Sequence, residues 1–267
     1  MLPHEAEAQA AIAAKYRVQI DAMTKLHDTV VGMMTAGKWT VTKTRGVTPL
    51  VAQTMMGLLT KAVKTFRAVQ ILCERGLYED ASSLTRVLME TTIAIAFILQ
   101  KNSKQRMVIY HAHGIAQSIK MLNEWAQTKG LKRMAPKAML VKANAGLASY
   151  LTKLPPGTDV KKHWSGTGSL QAAMKKLKGD AMYATLYRHT SAISHVSDFG
   201  AHFSLDKDGE MVWEIEPQVE GFEAPSYAAR ELLWAVANRI DEKFGLGYEA
   251  TLVPLKLTRA QVKVGKI

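Results

Sequence analysis

Apolar residues recur every three to four positions over most of this chain, the spacing that lines one face of an α-helix. Over residues 3–34 the stripe is Ile12, Tyr16, Ile20, Met23, Leu26 and Val30, and it predicts one long N-terminal helix. Residues 36–48, AGKWTVTKTRGVT, lose the period and read as a basic loop. Thr48-Pro49 then opens a second long helix, with proline in the first turn where its missing N–H has no partner to lose. Its stripe runs through Met55, Leu59, Val63, Phe66 and Ile71 until Gly76 stops it. A third helix follows over about 79–100, so close behind that the two predict an antiparallel hairpin.

Asn102-Ser103 reads as the cap of a fourth helix carrying Ile109, Ile115, Ile119, Leu122 and Trp125 up to Gly130. A fifth covers 136–154 and is closed by Pro155-Pro156-Gly157. After a basic loop, DVKKHWSGTG, Ser169 caps a short helix ending at Lys178-Gly179, and a further helix spans 180–197. The period then switches to two. Phe203 and Leu205 lead into Asp206-Lys207-Asp208-Gly209, and Met211, Val212 and Trp213 lead out, which is a hairpin signal. A last helix occupies 225–244. The expected fold is all-α: an antiparallel bundle of about seven helices with one small β-hairpin near the C-terminus. It is read as a single helical domain over 1–250, with the core bundle at 48–245 and a basic tail at 251–267.

Composition fits that pattern, with 7% aromatic residues and abundant Ala, Leu and Met. No apolar run is expected to reach the ~20 residues of a membrane span; the nearest, 91–99, is about half that. The first residues, MLPHEAEAQAA, lack the basic and apolar regions of a signal peptide. A lone cysteine, Cys73, rules out an internal disulfide and fits a reducing compartment, so the expected location is the cytoplasm. Cys73 sits in the apolar run AVQILC and reads as core rather than nucleophile.

Charge adds a partner to this picture. The net charge is +12, and between Lys120 and Lys178 the only carboxylates are Glu124 and Asp159. From 198 to 231 the balance reverses, with Lys207 and Arg230 the only cations. The excess points to a polyanion such as RNA or another nucleic acid. The track would be Lys132, Arg133, Lys137, Lys161, Lys162, Lys175, Lys176 and Lys178, with Trp164 stacking on a base. The alternatives are solvated helix faces, and a Trp164 packed over the bundle end.

The most chemically loaded stretch is YATLYRHTSAISHVSDFGAH, residues 183–202. On an α-helix, Arg188, Ser191 and His195 share a narrow arc, with Tyr187 flanking it. In this arrangement the stretch resembles the HEPN superfamily of helical bundles. Its ribonuclease members carry an arginine, a polar residue, and a histidine a few positions on, here Arg188, His189 and His195. That resemblance implies a metal-independent endoribonuclease, of the kind found in toxin and phage-defence systems, built where two copies meet. Arg188 and His195 would be catalytic, with Tyr187, His189 and Ser191 in support. The alternative is a hydrogen-bonded seam of Tyr187, Ser191 and His195 between helices.

LYEDASSLTRVLMETTIAIAFIL and YRHTSAISHV, with the hairpin and closing helix, also resemble a bacterial family of uncharacterised domains (DUF5677-like) over 63–245. That resemblance implies a fold and no activity. Arg86 and Glu90, four apart in an apolar helix, would orient Arg188 or His195; the alternative is a surface pair. His111 and His113 are two apart and so lie on different helix faces, unlike metal-binding pairs. Glu74, Glu79 and Glu90 lack a histidine to complete a ligand set, and no metal or cofactor is expected. Ser165-Gly166-Thr167-Gly168-Ser169 offers backbone amides to a phosphate, but reads better as a loop and N-cap. A second copy of the chain or another protein remains a candidate partner, with a non-catalytic binding module as the rival to the nuclease.

Overall fold

The computed structural model describes residues 5–36, 39, 47–179, 184, 187, 203–205, 207–213 and 217–257. The fold is all-α. Helices α1 (Glu5–Lys15), α2 (Arg17–Ala36), α3 (Pro49–Glu74), α4 (Tyr78–Ile98), α5 (Ser103–Gln127), α6 (Lys137–Leu151) and α7 (Leu170–Lys176) precede a hairpin of β1 (Phe203–Leu205) and β2 (Met211–Trp213). Helices α8 (Glu223–Phe244) and α9 (Glu249–Leu252) follow it. The hairpin is antiparallel, with Phe203 opposite Trp213 and Leu205 opposite Met211 around the Asp-Gly turn. Leu205 and Met211 are exposed, so this pair does not extend the core.

The chain gathers into two compact units, each assembled from separated stretches. One holds residues 1–40, 55–93 and 180–267; the other holds 41–54 and 94–179. In the first, Ile12, Met23, Leu26, Val30 and Met33 from α1 and α2 are fully buried, as are Leu59, Phe66 and Cys73 from α3 and Leu233 and Ile240 from α8. Burial pushes the Cys73 thiol up to about 12, where it stays protonated and inert. Tyr16 interrupts the predicted N-terminal helix, dividing it into α1 and α2. Its ring stacks on Phe222 at 4.5 Å and its hydroxyl reaches Glu223 at 3.3 Å.

Two glycines make this packing possible. Gly76 ends α3 at φ +75, with Leu77 N–H bonding Leu72 C=O and Gly76 N–H bonding Cys73 C=O. A β-carbon there would lie 2.7 Å from the Gln218 carbonyl oxygen. Gly221, at φ +103, lets the Tyr78 ring approach to where a β-carbon would be 2.8 Å away. Tyr78 in turn donates to the Val219 carbonyl at 3.1 Å.

In the second unit α5 and α6 pack side by side. Ile95, Ile98, Met107, Val108, Ala112 and Met174 are among its buried residues. Thr48 caps α3 by accepting the Val51 N–H at 3.3 Å, and Ser169 caps α7 by accepting the Ala172 N–H at 3.1 Å. Asn102 departs from expectation. It occupies the cap position of α5 in a left-handed conformation, φ 62, and its side chain caps nothing. Helix α5 also stops at Gln127, short of Gly130.

Helix α4 carries a further correction. By length and composition it could cross a membrane, with a mean hydropathy of 1.3 over its most apolar window. Arg86 and Glu90 interrupt the run, so a search for an unbroken one passes over it. The protein's own interior buries 61% of that window.

Candidate functional site

Arg188, His189, Ser191 and His195 lie outside the described residues. Two residues of that stretch, Ala184 and Tyr187, are described, and their backbone is π-helical rather than the α-helix predicted.

Tyr187 is one end of a small network in the first unit. The Arg86 guanidinium donates to the Tyr187 hydroxyl at 3.1 Å and lies 4.9 Å from the ring centre. Its Nε donates to Glu90 at 3.3 Å, one turn further along α4. Arg86 is mostly buried and Glu90 about half exposed, so the pair is neither sealed in the core nor free on the surface. A fixed guanidinium fork can hold carboxylate and phenol together, which an ammonium cannot do with the same geometry. The structure therefore joins three of the residues named from sequence, Arg86, Glu90 and Tyr187. The last of them immediately precedes Arg188.

Charge concentrates in the second unit. Residues 94–179 hold fifteen Lys and Arg against two carboxylates, a balance of +13 where the whole chain has +12. Both carboxylates are already engaged: Glu124 lies 4.0 Å from Lys120 and Asp159 lies 3.7 Å from Lys162. Bonding to the backbone N–H of Lys161 holds the Asp159 carboxyl below its usual range, so it stays charged. Lys132 and Arg133 sit on a 3-10 turn, Lys132–Met134, after α5, and Lys137 opens α6. Lys175 and Lys176 end α7, and Lys178 takes the left-handed position that closes it, at φ 59. These six, with Lys161 and Lys162, are exposed.

Trp164 behaves differently. It is half-buried, its ring edge-on to Phe97 at 5.9 Å and Tyr110 at 6.0 Å, with His163 4.8 Å away. It packs against the unit. His163 accepts the Ser165 N–H at 3.3 Å, and the Ser165 hydroxyl bridges His163 and Thr167. Those bonds, with the Ser169 cap, account for the Ser165–Ser169 loop as local structure.

The two α5 histidines are also engaged. His111 stacks on Tyr150 at 5.7 Å and its Nε2 lies 2.8 Å from the Thr54 hydroxyl oxygen. That hydroxyl donates its proton to Leu50 C=O at 2.7 Å, so Nε2–H of His111 donates to it. Burial lowers the His111 pKa. His113 Nδ1 donates to the Val160 carbonyl at 2.9 Å. Among the described residues no three His, Cys, Asp or Glu gather as a metal site. Sequence reasoning passed over the carboxamides of α5 and α6, Asn123, Gln127 and Asn144, because single amides on exposed helix faces carry no spacing signal.

Residues 53–211 match the sequence model of a family of unknown function, DUF5677. The chain belongs to that family. The DUF5677 match takes in Arg86, Glu90, Tyr187, the basic stretch and β1, and stops before α8, short of the 245 expected. No curated protein and no solved structure matches the chain.

Proposed function

We propose that this DUF5677 protein is an RNA-directed, HEPN-like metal-independent endoribonuclease of a bacterial toxin or phage-defence system, acting in the cytoplasm. The observation that carries the RNA-directed part is the accumulation of the chain's entire positive excess, exposed, in one compact unit. Such a surface gains affinity for a nucleic-acid backbone by releasing its counterions. The catalytic part rests on Arg188 and His195. His195 would take the proton of an RNA 2′-hydroxyl as its oxygen attacks phosphorus, and return a proton to the departing 5′-oxygen. Arg188 would hold the pentacoordinate phosphate through its two-pronged guanidinium. Arg86 and Glu90, through the Arg86 bond to Tyr187, would orient Arg188 or His195. A second copy of the chain would complete the site.

Arg188→Ala and His195→Ala are expected to lower single-stranded RNA cleavage in EDTA by about 10²-fold or more, with unchanged helical circular dichroism. A requirement for a divalent ion, or variants that unfold, would contradict the mechanism.

One observation favours a rival, a non-catalytic module binding nucleic acid or a protein. Arg86, Glu90 and Tyr187 are bonded to one another, as groups with a structural role would be. Under that reading both variants keep full RNA affinity and the wild type never cleaves.

A further inference from the structure

Helix α8 buries a cation that no described residue neutralises. Arg230 is 6% exposed, and its Nε is shut off from solvent with no acceptor. Among the described residues no carboxylate stands within ion-pair distance of it. Yet α8 carries four carboxylates, and each is turned to another group. Glu223 accepts the Tyr16 hydroxyl at 3.3 Å, and Glu231 accepts the Leu257 N–H at 3.1 Å. Asp241 accepts the Tyr248 N–H at 3.0 Å, and Glu242 accepts from the Arg239 guanidinium at 2.9 Å. Burial draws the Arg230 pKa down, and Tyr227 and Glu231, within electrostatic reach, offset that only in part. Tyr227 stands three residues back on the same helix face, partly exposed, its hydroxyl without a hydrogen bond among the described residues.

We propose that Arg230, with Tyr227 beside it, binds a small oxyanion, a phosphate or a carboxylate group. A charge stripped of water is costly unless it is paired and hydrogen-bonded, and an apolar side chain of similar volume is the more stable occupant of such a place. A ligand that brings the missing negative charge reverses that balance. The guanidinium offers donors and no acceptor, in a fork that matches two oxygens of a carboxylate or phosphate. That rules out a metal ion and a neutral apolar molecule as the occupant. With 6% of its surface open, Arg230 admits the edge of a small ion and no base or bulky side chain. Neither Arg188 nor His195 takes part, and Tyr227 and Arg230 lie beyond the matched residues 53–211, so this site goes beyond the nuclease reading.

The test is thermal unfolding of the full chain, wild type and Arg230→Met, in chloride buffer and with about 10 mM phosphate or acetate at matched ionic strength. Wild type is expected to melt about 3 °C higher with the anion that fits, the shift brought by a ligand at about ten times its dissociation constant. Phosphate acting alone assigns a phosphate, acetate acting alone a carboxylate, and both acting an oxyanion of either kind. Arg230→Met, relieved of an unpaired buried charge, is expected to melt at or above wild type in chloride and to lose the response. Any gain from anions on the basic unit or from their exclusion at the surface is common to both proteins and cancels between them. A Met variant that melts well below wild type, or fails to fold, means that the chain supplies its own counter-charge and overturns the site. A variant that keeps the wild-type response, or a wild type that responds to neither anion, overturns it equally.

Discussion

Arg86 makes three different contacts with two residues, Glu90 and Tyr187, and each asks something different of it. Glu90 needs a positive charge, the Tyr187 hydroxyl needs a donor, and the ring takes a planar cation. A lysine ammonium can meet any one of these demands but not all of them in one planar, fixed geometry. We expect Arg86→Lys to lower stability by about 1 kcal/mol and Tyr187→Phe by a similar amount, the range for bonds to charged groups after allowance for partial exposure. Urea denaturation checks both; an unchanged midpoint for Arg86→Lys would mean that the network contributes charge alone. Spacing made the Arg86–Glu90 pair legible from sequence. Their meeting with Tyr187, a hundred residues away, was not, because no local pattern encodes which helices touch.

Two titrating groups give opposite pH dependences. The folded Cys73 thiol is raised from 9.0 to about 12, so its contribution is complete below pH ~9 and is lost as pH rises toward 12. The folded His111 pKa is lowered from 6.5, so its contribution is complete above pH ~6.5 and is lost as pH falls through the folded value. Thermal melts should therefore fall off on both sides, and His111→Gln should flatten the acid limb only. An acid limb unmoved by that substitution contradicts the burial of the His111 ring as the cause of its lowered pKa. Thiol reagents should likewise leave native Cys73 unmodified at pH 8 and react with it after guanidinium unfolding.

At the scale of elements, the glycines rank themselves. Gly76→Ala meets the Gln218 backbone at 2.7 Å and also needs φ +75, whereas Gly209→Ala, at φ +82 in the hairpin turn, meets nothing within 4 Å. Left-handed strain costs about 1 kcal/mol at each, and the clash falls on Gly76 alone. We expect Gly76→Ala to lose about 2 kcal/mol or more than Gly209→Ala in chemical denaturation, and equal losses would contradict the close approach. Gly76, Thr48-Pro49, Ser169 and the Asp-Gly turn were all readable in sequence, since each signal is local and steric. The break at Tyr16 was not readable, because Phe222, which fixes that ring, lies two hundred residues downstream. The packing of Trp164 was one of two readings the sequence left open, and spacing could not choose between them because its partners Phe97 and Tyr110 come from other elements.

For the whole molecule, the telling feature is that positive charge is segregated rather than spread. Composition along the chain shows the basic stretch at 120–178 but no boundary, since each unit is assembled from separated segments and the linear sequence never pauses between them. A surface of this kind would hold a polyanion through counterion release, and its affinity for one would then depend steeply on salt. The most direct measurement is the affinity of the full chain for single-stranded RNA from 50 to 300 mM salt. It should be repeated with Lys132→Glu, Arg133→Glu and Lys137→Glu combined. We predict a linear fall of log affinity with log salt of about 0.7 for each phosphate engaged, and a slope reduced by about 2 in the triple variant, whose folding is unchanged. A flat salt response, or a triple variant that binds as wild type does, would contradict the assignment of this surface to RNA.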